Sequence, residues 1–159
     1  MLGGAGALAA FAVEWLVAAT GNTARELLDT VATIAVLGAH RTPSKPAHFV
    51  PNELGRAGYQ IYPVNPVFAG DTLFGREVVA TLADLQSPVD LVLVFRRAEH
   101  LPAHAEEILA LDRLPKAVWF QLGIREDAAA QSLEAQGIMV VQDRCMWVDY
   151  RRFKRSRER

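Results

Sequence analysis

Cysteine is almost missing from this 159-residue chain: Cys145 stands alone, so no disulfide can form within it. That composition suits a reducing compartment, and a cytoplasmic protein is expected. The opening run, "MLGGAGALAAFAVEWLVAAT", lacks any Lys or Arg ahead of its apolar residues, and Glu14 interrupts it. A secretory leader is therefore not the expected reading, although the alanine and leucine content resembles one, and the stretch is too short and too polar at Glu14 to be expected to span a bilayer. Leu8, Phe11, Ala12, Trp15 and Leu16 fall at helical spacing on one face. We read residues 1–21 as an N-terminal apolar extension, with homo-oligomerisation through that face left open, because monomers rarely expose such a patch.

An excess of positive charge is absent as well. The formal net charge is -1, and the end "RRFKRSRER" holds six of the 17 Lys and Arg residues but one of the 18 acids. Residues 1–150 then carry 11 basic against 17 acidic residues, a net of -6. An acidic body offers no positive folded face for nucleic acid, so residues 151–159 read as a solvated basic C-terminal tail.

The chemical fingerprints that are missing are equally informative. No paired carboxylates, no Ser–His–Asp set and no metal cluster stand out, so neither a catalytic residue nor a metal ligand is assigned. His100 and His104, with Glu106 and Glu107 nearby, have metal-like spacing. Pro102 lies between the two histidines, and a solvated helix entry is the simpler reading. The loop after the first apolar run offers only Gly38, not the three glycines in six residues of a dinucleotide turn, and no "GKS" or "GKT" marks a mononucleotide P-loop.

What is present is a regular alternation. Apolar runs of strand length occur at 33–37, 59–64, 90–95, 117–120 and 138–141, with a weaker piece at 77–79. Their β-branched, continuously hydrophobic character suits strands buried on both faces. Helical patterns lie between them: "TARELLDT", "PAHFVPNELGRAG", "PAHAEEILALD" and "REDAAAQSLEAQG". Pro46 suits a first helical turn, whereas Pro51 should bend or shorten the same helix. Residues 22–150 are thus expected to form one α/β, Rossmann-like three-layer domain. Its parallel sheet should run in the order 3-2-1-4-5-6, with the third strand a short edge piece near Val78.

Ligands of open parallel sheets bind beyond the carboxyl ends of the strands. Those ends bring forward Gly38, Ala39, His40, Arg41, Thr42 and Lys45 after the first strand. They also present Val64, Asn65 and Pro66 after the second, Arg96 after the fourth, and Gln121 and Gly123 after the fifth. A helix starting at Pro46 would aim free N–H groups at an anion, with Arg41 and Lys45 beside it. This is the pattern of a phosphate-ligand site. Asn65 at the end of the second strand, in place of an acid to grip a ribose, argues against NAD.

The segments "TIAVLGAHRTPSKPAHFVPNELGRAGYQIYPVNP", "VDLVLVFRRAEHLP", "VWFQLGI" and "VVQDRC", in this order, resemble the small stand-alone CoA-binding domain proteins. Those in turn resemble the CoA-binding half of the succinyl-CoA synthetase α subunit. The likeness runs from about Ala24 to about Val148. It implies that the loop from Gly38 to Pro46 cradles the phosphates of coenzyme A or an acyl-CoA. The "VNP" turn and the "VFR" strand end, with Phe95 and Arg96, would flank the nucleotide and pantetheine. Ala47 and His40 stand where members of that family often carry serine. Acyl-CoA synthesis of the ligase type also needs a phosphorylated histidine and a nucleotide-grasping partner, which this sequence does not contain. The expectation is a binding protein for a CoA-type small molecule, with no nucleic-acid or membrane partner. The alternatives are an NAD(P)-dependent oxidoreductase-like domain and a regulatory module for another phosphorylated nucleotide. Cys145 reads as a small half-buried residue, His48 as a packing residue, and Trp119 and Phe120 as core.

Overall fold

A computed structural model of the chain describes residues 22–159, so the expected roles of Leu8, Phe11, Trp15 and Leu16 lie outside the described residues. Among those residues seven strands are present: β1 (Thr33–Leu37), β2 (Gln60–Val64), β3 (Thr72–Leu73), β4 (Arg76–Glu77), β5 (Leu91–Val94), β6 (Ala117–Phe120) and β7 (Met139–Val141). Among the described residues, five α-helices accompany them: α1 (Asn22–Thr30), α2 (Pro46–Arg56), α3 (Leu101–Leu109), α4 (Asp127–Glu134) and α5 (Met146–Arg157).

β2, β1, β5, β6 and β7, in that order, form a five-stranded sheet in which every neighbouring pair is parallel. The expected strand order and direction are present, but the edge piece near Val78 is reduced to one parallel bridge between Val64 and Val79. The reason is local. Phe74 and Gly75, at φ 53° and 76°, turn the chain into a tight hairpin that pairs β3 with β4. Val78 N–H then donates to Asp71 C=O and Gly70 N–H to Val78 C=O, which spends on the hairpin the groups a longer strand would offer β2.

Alternation along the central strands divides the core in two. Ile34, Val36, Leu91, Leu93 and Trp119 face α1, α2 and α5, while Ala35, Leu37, Val92, Val94 and Phe120 face α3 and α4. Such two-sided burial is what makes the strand runs read as continuously apolar. The end read as a solvated tail is exposed over most of its length and is helical to Arg157, as the second half of α5. Phe153 packs against the first core cluster, and Arg157 donates to Asp29 across to α1 at 2.7 Å. The other side chains from Arg151 onward are exposed.

Pro51 sits inside α2 without ending it. A proline there removes the N–H that would bond the carbonyl four residues back, at Ala47. That carbonyl accepts the N–H of His40 instead, at 3.2 Å, and so ties the loop after β1 to the helix that follows it.

Candidate functional site

The chain leaves β1 toward β2 on one side, and β5 returns to pair with β1 on the other, so the strand order reverses between β1 and β5. A crevice opens at the carboxyl end of such a reversal. Gly38 lies on its floor. Its φ is +90°, its N–H donates to Val64 C=O at 2.9 Å, and a Cβ there would lie 2.5 Å from the Phe95 carbonyl oxygen. Glycine is therefore required by the approach of the β5 end as well as by the turn. Val64 is fully buried, and Phe95 is half-buried with its N–H bonded to Leu37 C=O.

The loop from Ala39 to Lys45 is held from several directions. Asn65 is buried, donating through Nδ2 to Ala39 C=O at 2.9 Å and accepting from Val67 N–H at 3.0 Å. Both ends of its amide are thus spent fixing the loop to the turn that Pro66 begins. Thr42 donates its N–H to His40 Nδ1 at 3.0 Å, and Lys45 N–H closes a turn onto Thr42 C=O. His48 reaches back to the His40 carbonyl through Nδ1 at 2.8 Å and packs against Phe74, which gives the expected packing residue a loop-fixing role. Pro46 occupies the first turn of α2, and the N–H groups of Arg41, Ser44 and Ala47 have no acceptor among the described residues. The loop contains no carboxylate, and Lys45 extends from it exposed. Arg41 leans outward, over the Phe68 ring and 4.0 Å from Asp71. Free donors, a helix N-terminus and two cations are the features that favour an anion.

Partial desolvation, then the positive charges of Lys45 and Arg41, hold His40 below the ordinary imidazole value of 6.5. Its ring is neutral, as acceptance from Thr42 requires. The unfolded chain takes up a proton near 6.5 that the folded loop resists, so folding is unpenalised above that value and weakens as pH falls below it. The melting temperature of the parent should therefore drop more steeply than that of His40→Gln between about pH 7.5 and about pH 5.5. Parallel slopes would rule this out.

At the β5 end, Arg96 is half-buried, with its Cδ 3.2 Å from the position of a Gly38 Cβ. Arg96 Nε–H donates to His104 Nε2 at 3.2 Å, and His104 Nδ1 lies 2.9 Å from Glu107 Oε2. The other Glu107 oxygen accepts Leu82 N–H at 3.0 Å. The bond from His104 leads the effects that hold the Glu107 carboxyl below its usual range, against the opposing pull of partial burial. His104 is thus no solvated helix entry. The three-residue spacing from His104 to Glu107 on α3 is the signal from which this pair was readable.

Gln121 and Gly123 stand farther along the sheet edge. Gln121 is buried, and its Oε1 accepts the first N–H of α5, from Met146, at 3.3 Å. That bond turns the acceptor expected for a ligand into a helix cap. Gly123, at φ 85°, donates its N–H to Asp143 Oδ1 at 2.7 Å. Cys145 is half-buried just before α5. Among the described residues, no group of three or more His, Cys, Asp or Glu side chains is placed to hold a metal ion, and no helix is long and apolar enough to cross a membrane. An open groove of about 590 Å³ lies between α2, the start of β2 and the Phe74–Arg76 turn. It sits away from the strand reversal and lacks the convergent donors of the β1 loop.

The sequence profile described as the CoA binding domain matches residues 32–151. The chain belongs to that family. It is 38% identical over 124 residues to the uncharacterized protein YneT of Bacillus subtilis (strain 168), covering 78% of this chain and 89% of that one. Among solved structures, cell-free ID.343 from Thermus thermophilus is 48% identical with a TM-score of 0.79, the match covering 83% of this chain and 97% of that chain. A hypothetical protein from Pyrococcus horikoshii OT3 is 27% identical with a TM-score of 0.77, covering 84% and 91%. Within the CoA binding domain, the matched span takes in β1, the whole loop, α2, β2, β5 and the Arg96–His104–Glu107 chain of contacts.

Proposed function

We propose that this CoA binding domain protein binds coenzyme A or an acyl-CoA across the crevice between β1 and β5. The observation that carries the reading is the set of free Arg41, Ser44 and Ala47 N–H groups at the start of α2, beside Lys45, in a loop that itself carries no carboxylate. A pyrophosphate suits such a site, because anions are favoured by unpaired N–H groups and by the helix dipole. Arg41, Lys45 and Arg96 would meet the phosphates, while Gly38, Ala39, His40, Thr42, Pro46 and the Val64–Pro66 turn would form the wall. Phe95 and Gly123 would border the pantetheine arm. The residues gathered at the site give no nucleophile–base pair, and the proposed role is binding.

A thermal-shift panel of CoA, acetyl-CoA, NAD, NADP and ATP tests this. A ligand at 100 times its dissociation constant stabilises the fold by about 2.7 kcal/mol, or roughly 5–10 °C for a chain of this size. CoA or acetyl-CoA should give that shift. A response to NAD without one to CoA would reject the proposal.

A further inference from the structure

Among the described residues of the crevice, Arg96 is the cation that a chain of side-chain hydrogen bonds holds in place. Its stem crosses Gly38, where only a glycine leaves room for it and for the Phe95 carbonyl. Its Nε–H is given to His104 Nε2, so that ring nitrogen must be an acceptor and the ring proton must sit on Nδ1, facing the Glu107 carboxylate 2.9 Å away. Glu107 is itself fixed, because its second oxygen receives the Leu82 N–H. Three elements therefore converge on one guanidinium: the end of β5, helix α3 and the turn at Leu82. The Nη groups of Arg96 have no partner among the described residues. A guanidinium anchored through Nε still presents both Nη groups as a planar fork, the arrangement that meets phosphate oxygens two at a time.

We infer that His104 and Glu107 are positioning residues that hold Arg96 as a preorganised clamp for a phosphate group of the ligand. The inference rests on the CoA reading above and deepens it. An arginine fixed before binding loses less rotational freedom on meeting the anion than one ordered by it. Arg41 illustrates the contrast, since it is exposed and leans toward Asp71. His104 touches no ligand in this scheme and acts wholly through Arg96.

Titration calorimetry with CoA and a double-mutant cycle give the test. His104→Ala should weaken CoA binding by about tenfold. His104→Gln, which can return an acceptor to Arg96 Nε–H, should recover most of that loss. In an Arg96→Ala background, His104→Ala should cost nothing further, whereas an equal cost in both backgrounds would mean that His104 does not act through Arg96. A second measurement needs no ligand: the Arg96 Nε–H resonance should be protected from solvent exchange in the parent and lose that protection in His104→Ala. Unchanged protection would overturn the positioning role. A parent protein that keeps the protected resonance but fails to bind CoA would overturn the CoA reading, and with it the assignment of the clamp to a CoA phosphate.

Discussion

Gly38→Ala is expected to lower the stability of the fold by about 3 kcal/mol, enough to shift a urea unfolding midpoint by more than 1 M. Two costs add. The residue sits at φ +90°, where a side chain costs roughly 1–2 kcal/mol whatever surrounds it. The added Cβ would also lie 2.5 Å from the Phe95 carbonyl oxygen and 3.1 Å from its carbon, which are backbone atoms of a central strand end and cannot swing aside. Gly123→Ala supplies the control. Gly123 has a similar φ of 85°, but nothing lies within 4 Å of the added Cβ, so only the backbone cost should appear. Equal losses at the two positions would show that β5 yields at its end, and that Gly38 is required by the turn alone.

The same position shows how the sequence informs and where it stops. The apolar runs locate five parallel strands because burial on both faces leaves a plain hydrophobic signature over residues such as Ile34 to Leu37. The glycine after β1 is visible as a turn residue. That its missing side chain makes room for Phe95 is a contact between segments 57 residues apart, and no local pattern encodes it. Asn65 behaves likewise: its place at the end of β2 argued against a ribose grip, but its bond to Ala39 spans 26 residues. Gln121 was legible as a polar residue at a strand end, yet whether such a group faces a ligand or caps α5 depends on where the next helix lands. The basic end is exposed, as its charge density implies, but one aromatic, Phe153, packs on the core and Arg157 bonds Asp29, and neither contact is encoded in the charge pattern. Pro51 reads as a helix breaker by propensity, but the carbonyl it frees is taken by His40, so its local cost becomes a tertiary bond. Within the site, the loop between Gly38 and Pro46 was readable from charge and from its position between strand and helix. The lock on Arg96 needed the fold.

Lys45→Ala should weaken CoA binding ten- to a hundredfold while leaving the melting temperature of the ligand-free protein unchanged. The residue immediately precedes α2, and its backbone already works for the fold: its N–H meets Thr42, and its carbonyl receives His48 and Phe49. Alanine preserves all three bonds. The side chain, by contrast, is exposed and has no hydrogen-bond partner among the described residues, so removing it takes nothing from the folded state. What it contributes is a charge beside the free N–H groups of Ser44 and Ala47. A charge-assisted contact with phosphate is worth about 1.5–3 kcal/mol, and less when exposed, which corresponds to the stated range. Dephospho-CoA, which keeps the pyrophosphate but lacks the 3′-phosphate, separates two assignments of that charge. If Lys45 serves the pyrophosphate, the parent should lose less affinity on going to dephospho-CoA than on losing Lys45, and Lys45→Ala should be weakened by the same factor toward both ligands. Calorimetry in which Lys45→Ala binds CoA as tightly as the parent would remove the loop's proposed role. A variant weakened toward CoA but not toward dephospho-CoA would move Lys45 to the 3′-phosphate.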